Sequence, residues 1–305
     1  MSKRTDNILS LQEAFQISSG YTRKRAIKLW IIARSLIPKR RRKYSYLCFN
    51  YLKWVDDYVD NPVISKDEKI KFIENQLKLI TALSNDEETK IETDEEYFLY
   101  YIIQYAQEIN NSNLILEVKN SVESIGLDTV RLNHDGIFSD SELNQYMDKM
   151  LHPVFNLTYY FLYPSVKISQ NNKYIGKFVW KVLILRDFFE DIDSGFINIS
   201  REDIEKYNLD LSNLKKDVNR IRWMRDTYPE YMKILDNDIS IFKSMPLKIK
   251  LFWGPIYPYM IYELIKIKIY GYNFGEKNRK NIIRELQAFF IALLLSLKTI
   301  IKVFF

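Results

Sequence analysis

Two stretches of the chain repeat one arrangement of acidic side chains: Asp56-Asp57-Tyr58-Val59-Asp60 and Arg186-Asp187-Phe188-Phe189-Glu190-Asp191. Both contain Asp-x-x-x-Asp. On a helix, residues i and i+4 lie on one face about a turn apart, so Asp56 with Asp60, and Asp187 with Asp191, each present two carboxylates toward a shared point. That donor set suits Mg²⁺, a hard ion that binds through one or two carboxylates and keeps waters and substrate phosphates in its shell. Mn²⁺ is the expected substitute. One such pair on a charged helix is ordinarily a solvated face. Here both pairs follow apolar runs, Tyr46 to Val55 and Phe178 to Leu185. Carboxylates at the end of buried helices are costly unless paired or metal-bound. Two pairs facing one cavity would hold a Mg²⁺–diphosphate group, with apolar helices around a hydrocarbon tail.

Cations complete such a site. Lys53 stands three residues before Asp56, and Arg186 directly precedes Asp187. Arg34 lies further upstream. An Arg fork meets phosphate bidentately, whereas Lys acts as a point charge. Arg34 and Arg186 stand between two roles, contact with a ligand and a salt bridge to a nearby carboxylate. The basic run Lys39-Arg40-Arg41-Arg42-Lys43 reads as a solvated helix start or as a contact for nucleic acid or anionic lipid. No nucleic-acid-binding module accompanies it, which favours the first.

The elements that must position these residues are helices. The 305 residues include only 8 Gly and 8 Pro, too few for a Gly-rich nucleotide loop, a β-sandwich or a disordered chain. A single cysteine, Cys48, rules out an internal disulfide and a Cys-based zinc site. Two histidines, His134 and His152, argue against a His-rich metal centre, and a lone His is ordinarily structural. The formal charge of +6 is mild and favours an anionic ligand or membrane surface without implying nucleic acid. Periodicity predicts helices over 22–36, 40–60, 66–83, 97–125 (broken near 110–112), 140–163, 172–193, 213–240, 246–271 and 278–303, with loops over 85–96 and 194–212. Ser139 and Glu142 form a capping box for the helix at 140. No linker divides the chain, so one all-α domain spanning 1–305 is expected. The uncharged run Leu286 to Leu297 has 12 residues, against about 20 for a spanning helix. It reads as a packed terminal helix or, with Lys298 and Lys302, as an in-plane membrane contact. The N-terminus has no secretory pattern, so the chain reads as cytoplasmic or membrane-peripheral.

The stretch from Ala33-Arg34-Ser35-Leu36-Ile37-Pro38 to Asp60 resembles the first signature block of the squalene/phytoene synthase family, the head-to-head trans-isoprenyl diphosphate synthases. Leu185-Arg186-Asp187 to Asp191, followed by Gly195, resembles the second. The order of the blocks and their separation of about 130 residues also match. The resemblance covers roughly residues 20–275, leaving a C-terminal apolar helix at about 278–303. It implies a single-domain isoprenoid-synthase helical bundle around a central cavity, with Mg²⁺ at Asp56, Asp60, Asp187 and Asp191. It implies condensation of two prenyl diphosphates with release of diphosphate, as in carotenoid or triterpene biosynthesis.

Several positions depart from the family pattern. In the middle block Tyr146 is retained, but His152 and Phe155 stand where the family has glycines, and Pro153 lies between them. His152 and Phe155 are therefore expected to reshape the substrate cavity. Tyr146 is expected to donate to diphosphate or to face a substrate cation with its ring. Arg131 replaces an upstream Asp, and Leu183 replaces an Asn. The segment after Gly195 reads Phe196-Ile197-Asn198-Ile199-Ser200, so NADPH-dependent reduction is not expected. The reading is a Mg²⁺-dependent prenyltransferase whose substrate-binding residues are Arg34, Lys53, Tyr146, His152, Phe155 and Arg186, with Tyr146 and Arg186 also expected to be catalytic. The rivals are a class I terpene cyclase acting on one prenyl diphosphate and a non-catalytic membrane-associated factor on the same scaffold.

Overall fold

The computed structural model describes residues 9–131, 137–164, 176–271 and 282–304. Among these the regular elements are all helical. They run α1 (Leu11–Arg25), α2 (Ile27–Leu36), α3 (Lys39–Val59), α4 (Lys66–Ser84), α5 (Asp94–Glu108), α6 (Ser112–Arg131) and α7 (Asp140–Leu162). The second half holds α8 (Lys177–Arg186), α9 (Phe188–Asp193), α10 (Arg201–Tyr207), α11 (Val218–Lys243), α12 (Leu247–Trp253), α13 (Ile256–Ile269) and α14 (Ile282–Phe304). His134 lies outside the described residues, as do 172–175 and 278–281 of two predicted helices.

The chain groups into two compact units, Met1–Val130 with His152–Ser169, and Arg131–Leu151 with Gln170–Phe305. In the first unit α3 packs against α1, α5, α2 and α4. Its buried face, Tyr44, Leu47, Cys48, Tyr51, Val55 and Val59, follows the helical period. Burial pushes the Cys48 thiol up to about 12, which leaves it a core residue. In the second unit α8 packs against α11 and α13, and α14 covers α13 and α11.

Local chemistry sets many helix ends. Ser10–Glu13, Ser65–Glu68 and Thr93–Glu96 form capping boxes, and Ser139 with Glu142 makes the same exchange at α7. These pairs satisfy N–H groups that the first turn leaves without helical partners.

Four expectations are corrected. The helix expected at 22–36 is two, α1 and α2, which meet at Ala26 (φ −142°). α1 buries Ala14, Ser18 and Thr22, a small and partly polar face that apolar periodicity does not reveal. Asn50 of α3 ties that face down, donating to Ser18 O (2.9 Å), Thr22 Oγ1 (2.7 Å) and Tyr46 O (2.8 Å). The helix expected to run to 193 breaks at Asp187 into α8 and α9. The segment 194–212 contains α10, capped by Ser200 and ended by Asn208 in the left-handed region (φ 49°). The helix at 246–271 is interrupted at Gly254-Pro255, where proline cannot donate to the preceding turn.

The basic run at the start of α3 is engaged within the chain. Arg40 pairs with Glu108 (2.5 Å), Arg41 donates to Leu162 O, Arg42 donates to Ile37 O, and Lys43 lies over the Tyr44 ring.

Candidate functional site

The first acidic stretch is the last turn of α3. Lys53 Nζ lies 2.6 Å from Asp56 Oδ2 and 2.9 Å from Asp57 Oδ1. Burial works against the ammonium charge, but bonds to Asp56 and Asp57 outweigh it and raise the Lys53 pKa. Arg25, from the end of α1, pairs with Asp57 Oδ2 at 2.7 Å. Asp60 caps the helix, its N–H bonded to Asp56 O. It is open to solvent on one side, yet the protein around it, with the charges of Asp56 and the buried Asp128, pushes its carboxyl up to about 7 despite Lys53. Lys69 of α4 is buried; desolvation lowers its pKa and the charge of Asp60 acts in the opposite direction.

Arg34, one of the expected diphosphate ligands, is exposed and lies over the Trp30 ring at 5.0 Å. Among the described residues it forms no salt bridge with the acidic stretch, so that one of its two readings is not realised.

The second stretch spans the α8–α9 junction. Arg186 Nε and Nη2 hold the two Asp187 oxygens at 2.7 and 2.6 Å, a bidentate pair between neighbours. Tyr259 of α13 also bonds to Arg186. Asp191 N–H donates to Asp187 O at 2.8 Å, so the one-turn spacing survives the break. Asp191 Oδ2 accepts from Asn198 Nδ2 at 2.7 Å. Asn198 Oδ1 in turn accepts from Arg131 Nη2 at 2.7 Å.

Tyr146 is buried, and its ring packs against Phe138 and Trp180, each at 5.7 Å. The Arg131 guanidinium lies 4.4 Å from its centroid. A protein cation therefore already occupies the ring environment that sequence reasoning reserved for a substrate cation. Phe155 is buried against Tyr159 at 5.7 Å, His152 is half-buried, and Pro153 lies inside α7.

Sequence reasoning missed Arg25, Asp128, Asn198 and Tyr259. Arg131 was visible only as a departure from a pattern. Asn198 follows Asp191 by seven residues and carried no signal of its own.

The donor chemistry fits Mg²⁺. Among the described residues no three or more His, Cys, Asp or Glu side chains converge as a closed metal cage. Paired carboxylates that leave coordination positions to water and phosphate are what Mg²⁺ takes. Asp56 and Asp60 would hold it in the first unit, and Asp187 and Asp191 in the second.

No protein-family model matches the chain, and no curated protein matches it. Solved structures do. A dehydrosqualene synthase in complex with ligand superposes with a TM-score of 0.65 at 14% identity, over 94% of this chain and 98% of the other. Squalene synthase HpnC from Alicyclobacillus acidocaldarius gives 0.68 at 14%, over 88% and 97%. TcSQS with a bound ligand gives 0.68 at 13%, over 95% and 91%. The chain thus has the all-α fold of the squalene/phytoene synthase family.

Proposed function

We propose that this protein is a Mg²⁺-dependent prenyltransferase that joins two prenyl diphosphates head to head and releases diphosphate. The observation that carries the reading is the recurrence of one local device on this fold. Each Asp-x-x-x-Asp stretch keeps its two aspartates one helical turn apart along the backbone, with a cation held on the first carboxylate, Lys53 on Asp56 and Arg186 on Asp187. Bound Mg²⁺ would neutralise charge on the departing diphosphate. Lys53 and Arg186, which sit on those carboxylates here, would supply hydrogen bonds to the phosphate oxygens of a bound diphosphate. Prenyl diphosphates are the expected substrates, and no reduction step is assigned.

The buried, ring-packed Phe155 favours keeping the second reading, a cyclase that folds one prenyl diphosphate. Incubating the full chain with Mg²⁺ and farnesyl or geranylgeranyl diphosphate, and weighing the hydrocarbon, separates the two. A doubled carbon count is the expected result, and an unchanged count establishes the cyclase. Folded protein that releases no diphosphate from either substrate overturns both.

Membrane contact is proposed through α14. Its face toward α13 and α11 carries the buried Ala288, Ala292, Ser296 and Thr299. Its opposite side exposes Leu286, Phe290, Leu294, Leu297 and Ile301, at 48–69%. Arg284, Lys298 and Lys302 lie along one flank by helical spacing. No helix among the described residues is long and apolar enough to cross a membrane. An apolar stripe edged by cations suits an in-plane position on an anionic bilayer.

A further inference from the structure

Arg131 is a cation where the family pattern has an acid, and it is almost fully enclosed, at 4% exposure. A buried guanidinium must be compensated. Part of that compensation comes from neutral acceptors and aromatic rings. Nη2 donates to Ile197 O at 3.1 Å and to Asn198 Oδ1 at 2.7 Å. The rings of Tyr146, Phe138 and Phe196 surround the guanidinium carbon at 4.4, 4.8 and 5.9 Å. A negative charge lies one amide further on, where Asn198 Nδ2 donates to Asp191 Oδ2 at 2.7 Å.

The orientation of the Asn198 amide is forced by its neighbours. Arginine only donates, so the amide oxygen must face Arg131. An ionised carboxylate only accepts, so the amide nitrogen must face Asp191. The cation polarises the amide in the sense that strengthens its N–H bond to Asp191. Asn198 is also on a short path: Phe196 N–H bonds back to Asp191 O at 2.8 Å, which holds the turn against the end of α9.

We propose that Arg131 and Asn198 are positioning residues that fix the Asp191 carboxyl, and through it set how strongly the second acidic stretch binds a divalent cation. The proposal rests on the reading of Asp191 as a metal-binding carboxylate. Hydrogen bonds that orient a metal-binding side chain are worth about 10- to 100-fold in metal affinity. Neither residue is assigned a contact with substrate.

The test is Mn²⁺ binding to the full chain, in the presence of inorganic diphosphate, followed by electron paramagnetic resonance and isothermal titration. Asn198→Ala removes the link without burying a new charge. Arg131→Met removes the cation at similar volume. The double variant asks whether the two act in series. Asp191→Asn reports on the underlying assignment. Circular dichroism and melting establish folding in each case. Expected is roughly tenfold weaker Mn²⁺ binding in Asn198→Ala at an unchanged melting temperature. The double variant should bind no more weakly than Asn198→Ala. Where turnover is measured, the Mg²⁺ concentration for half-maximal rate should rise more than kcat falls. If Asp191→Asn weakens Mn²⁺ binding and folded Asn198→Ala does not, the relay is wrong and the metal assignment stands. If Asp191→Asn leaves Mn²⁺ binding and diphosphate release unchanged, the assignment of Asp191 fails and the relay fails with it. Should Arg131→Met not fold, Asn198→Ala alone decides.

Discussion

Asp238 is a single side chain that ties down the start of the helix leading to the second acidic stretch. From α11 its Oδ2 accepts the Gly176 and Phe178 N–H groups, both at 3.1 Å, and the Tyr257 hydroxyl at 3.2 Å. It thereby caps the start of α8, the helix that ends at Arg186 and Asp187. Burial pushes its carboxyl up to about 7, outweighing those bonds and the charge of Lys177. In the unfolded chain an aspartate titrates near 3.8. Between those values the native state holds a proton that the unfolded state has lost, so stability falls as pH rises from about 4 to about 7 and then levels off. Asp238→Asn keeps an acceptor oxygen and removes the titration. The parent should therefore melt lower at pH 8 than at pH 5 by more than the variant does, with about 2–4 °C for each kcal/mol of linkage. Equal pH dependence in the two proteins, by scanning calorimetry, would disprove the linkage.

At the scale of the element, α14 carries two different surfaces. Glu285 in its first turn accepts from Tyr270 at 3.0 Å and bonds to the Tyr262 hydroxyl at 2.5 Å. Small residues let the rest of the helix lie close on α13 and α11. Deleting the helix would uncover that packing as well as any lipid contact, so point substitutions on its outer side are the sharper test. Leu294, at 69% exposure, is the most open of the outer residues. Leu294→Glu should leave melting unchanged and weaken binding to phosphatidylglycerol-containing vesicles, read by cosedimentation, by about tenfold to a hundredfold. That corresponds to losing one buried leucine, about 1.5–3 kcal/mol. Equal recovery of both proteins on the vesicles would remove the lipid reading. Loss of self-association on substitution would assign the surface to a second copy of the chain.

Across the whole molecule, the two acidic stretches belong to different compact units, Asp56 to one and Asp187 to the other. If one reaction uses both, neither unit is sufficient. Asp56→Asn and Asp187→Asn should each lower diphosphate release by on the order of a hundredfold or more, since the amide keeps the shape and loses the charge. Both variants should keep the helical circular dichroism of the parent. Parent-like release from either at saturating Mg²⁺ would show that its unit serves another purpose.

The sequence by itself determined the helical class, most helix positions and the acidic pairs. Helical periodicity, capping boxes and i, i+4 spacing are local, and the chain carries them wherever it folds. The local signal failed where a helix buries small polar residues, as α1 does with Ser18 and Thr22. It also passed over Gly254-Pro255, a break between two apolar helices. Tertiary structure decided which partner each charge receives. Arg25 reaches Asp57 across 32 residues, Arg131 reaches Asn198 across 67, and Asp238 reaches Phe178 across 60. Such pairs depend on which helix ends are brought together when apolar faces are buried, and hydrophobic burial is non-directional. No spacing within a helix specifies them, so Asn198 gained its place beside Asp191 only when the chain after α9 folded back onto α9.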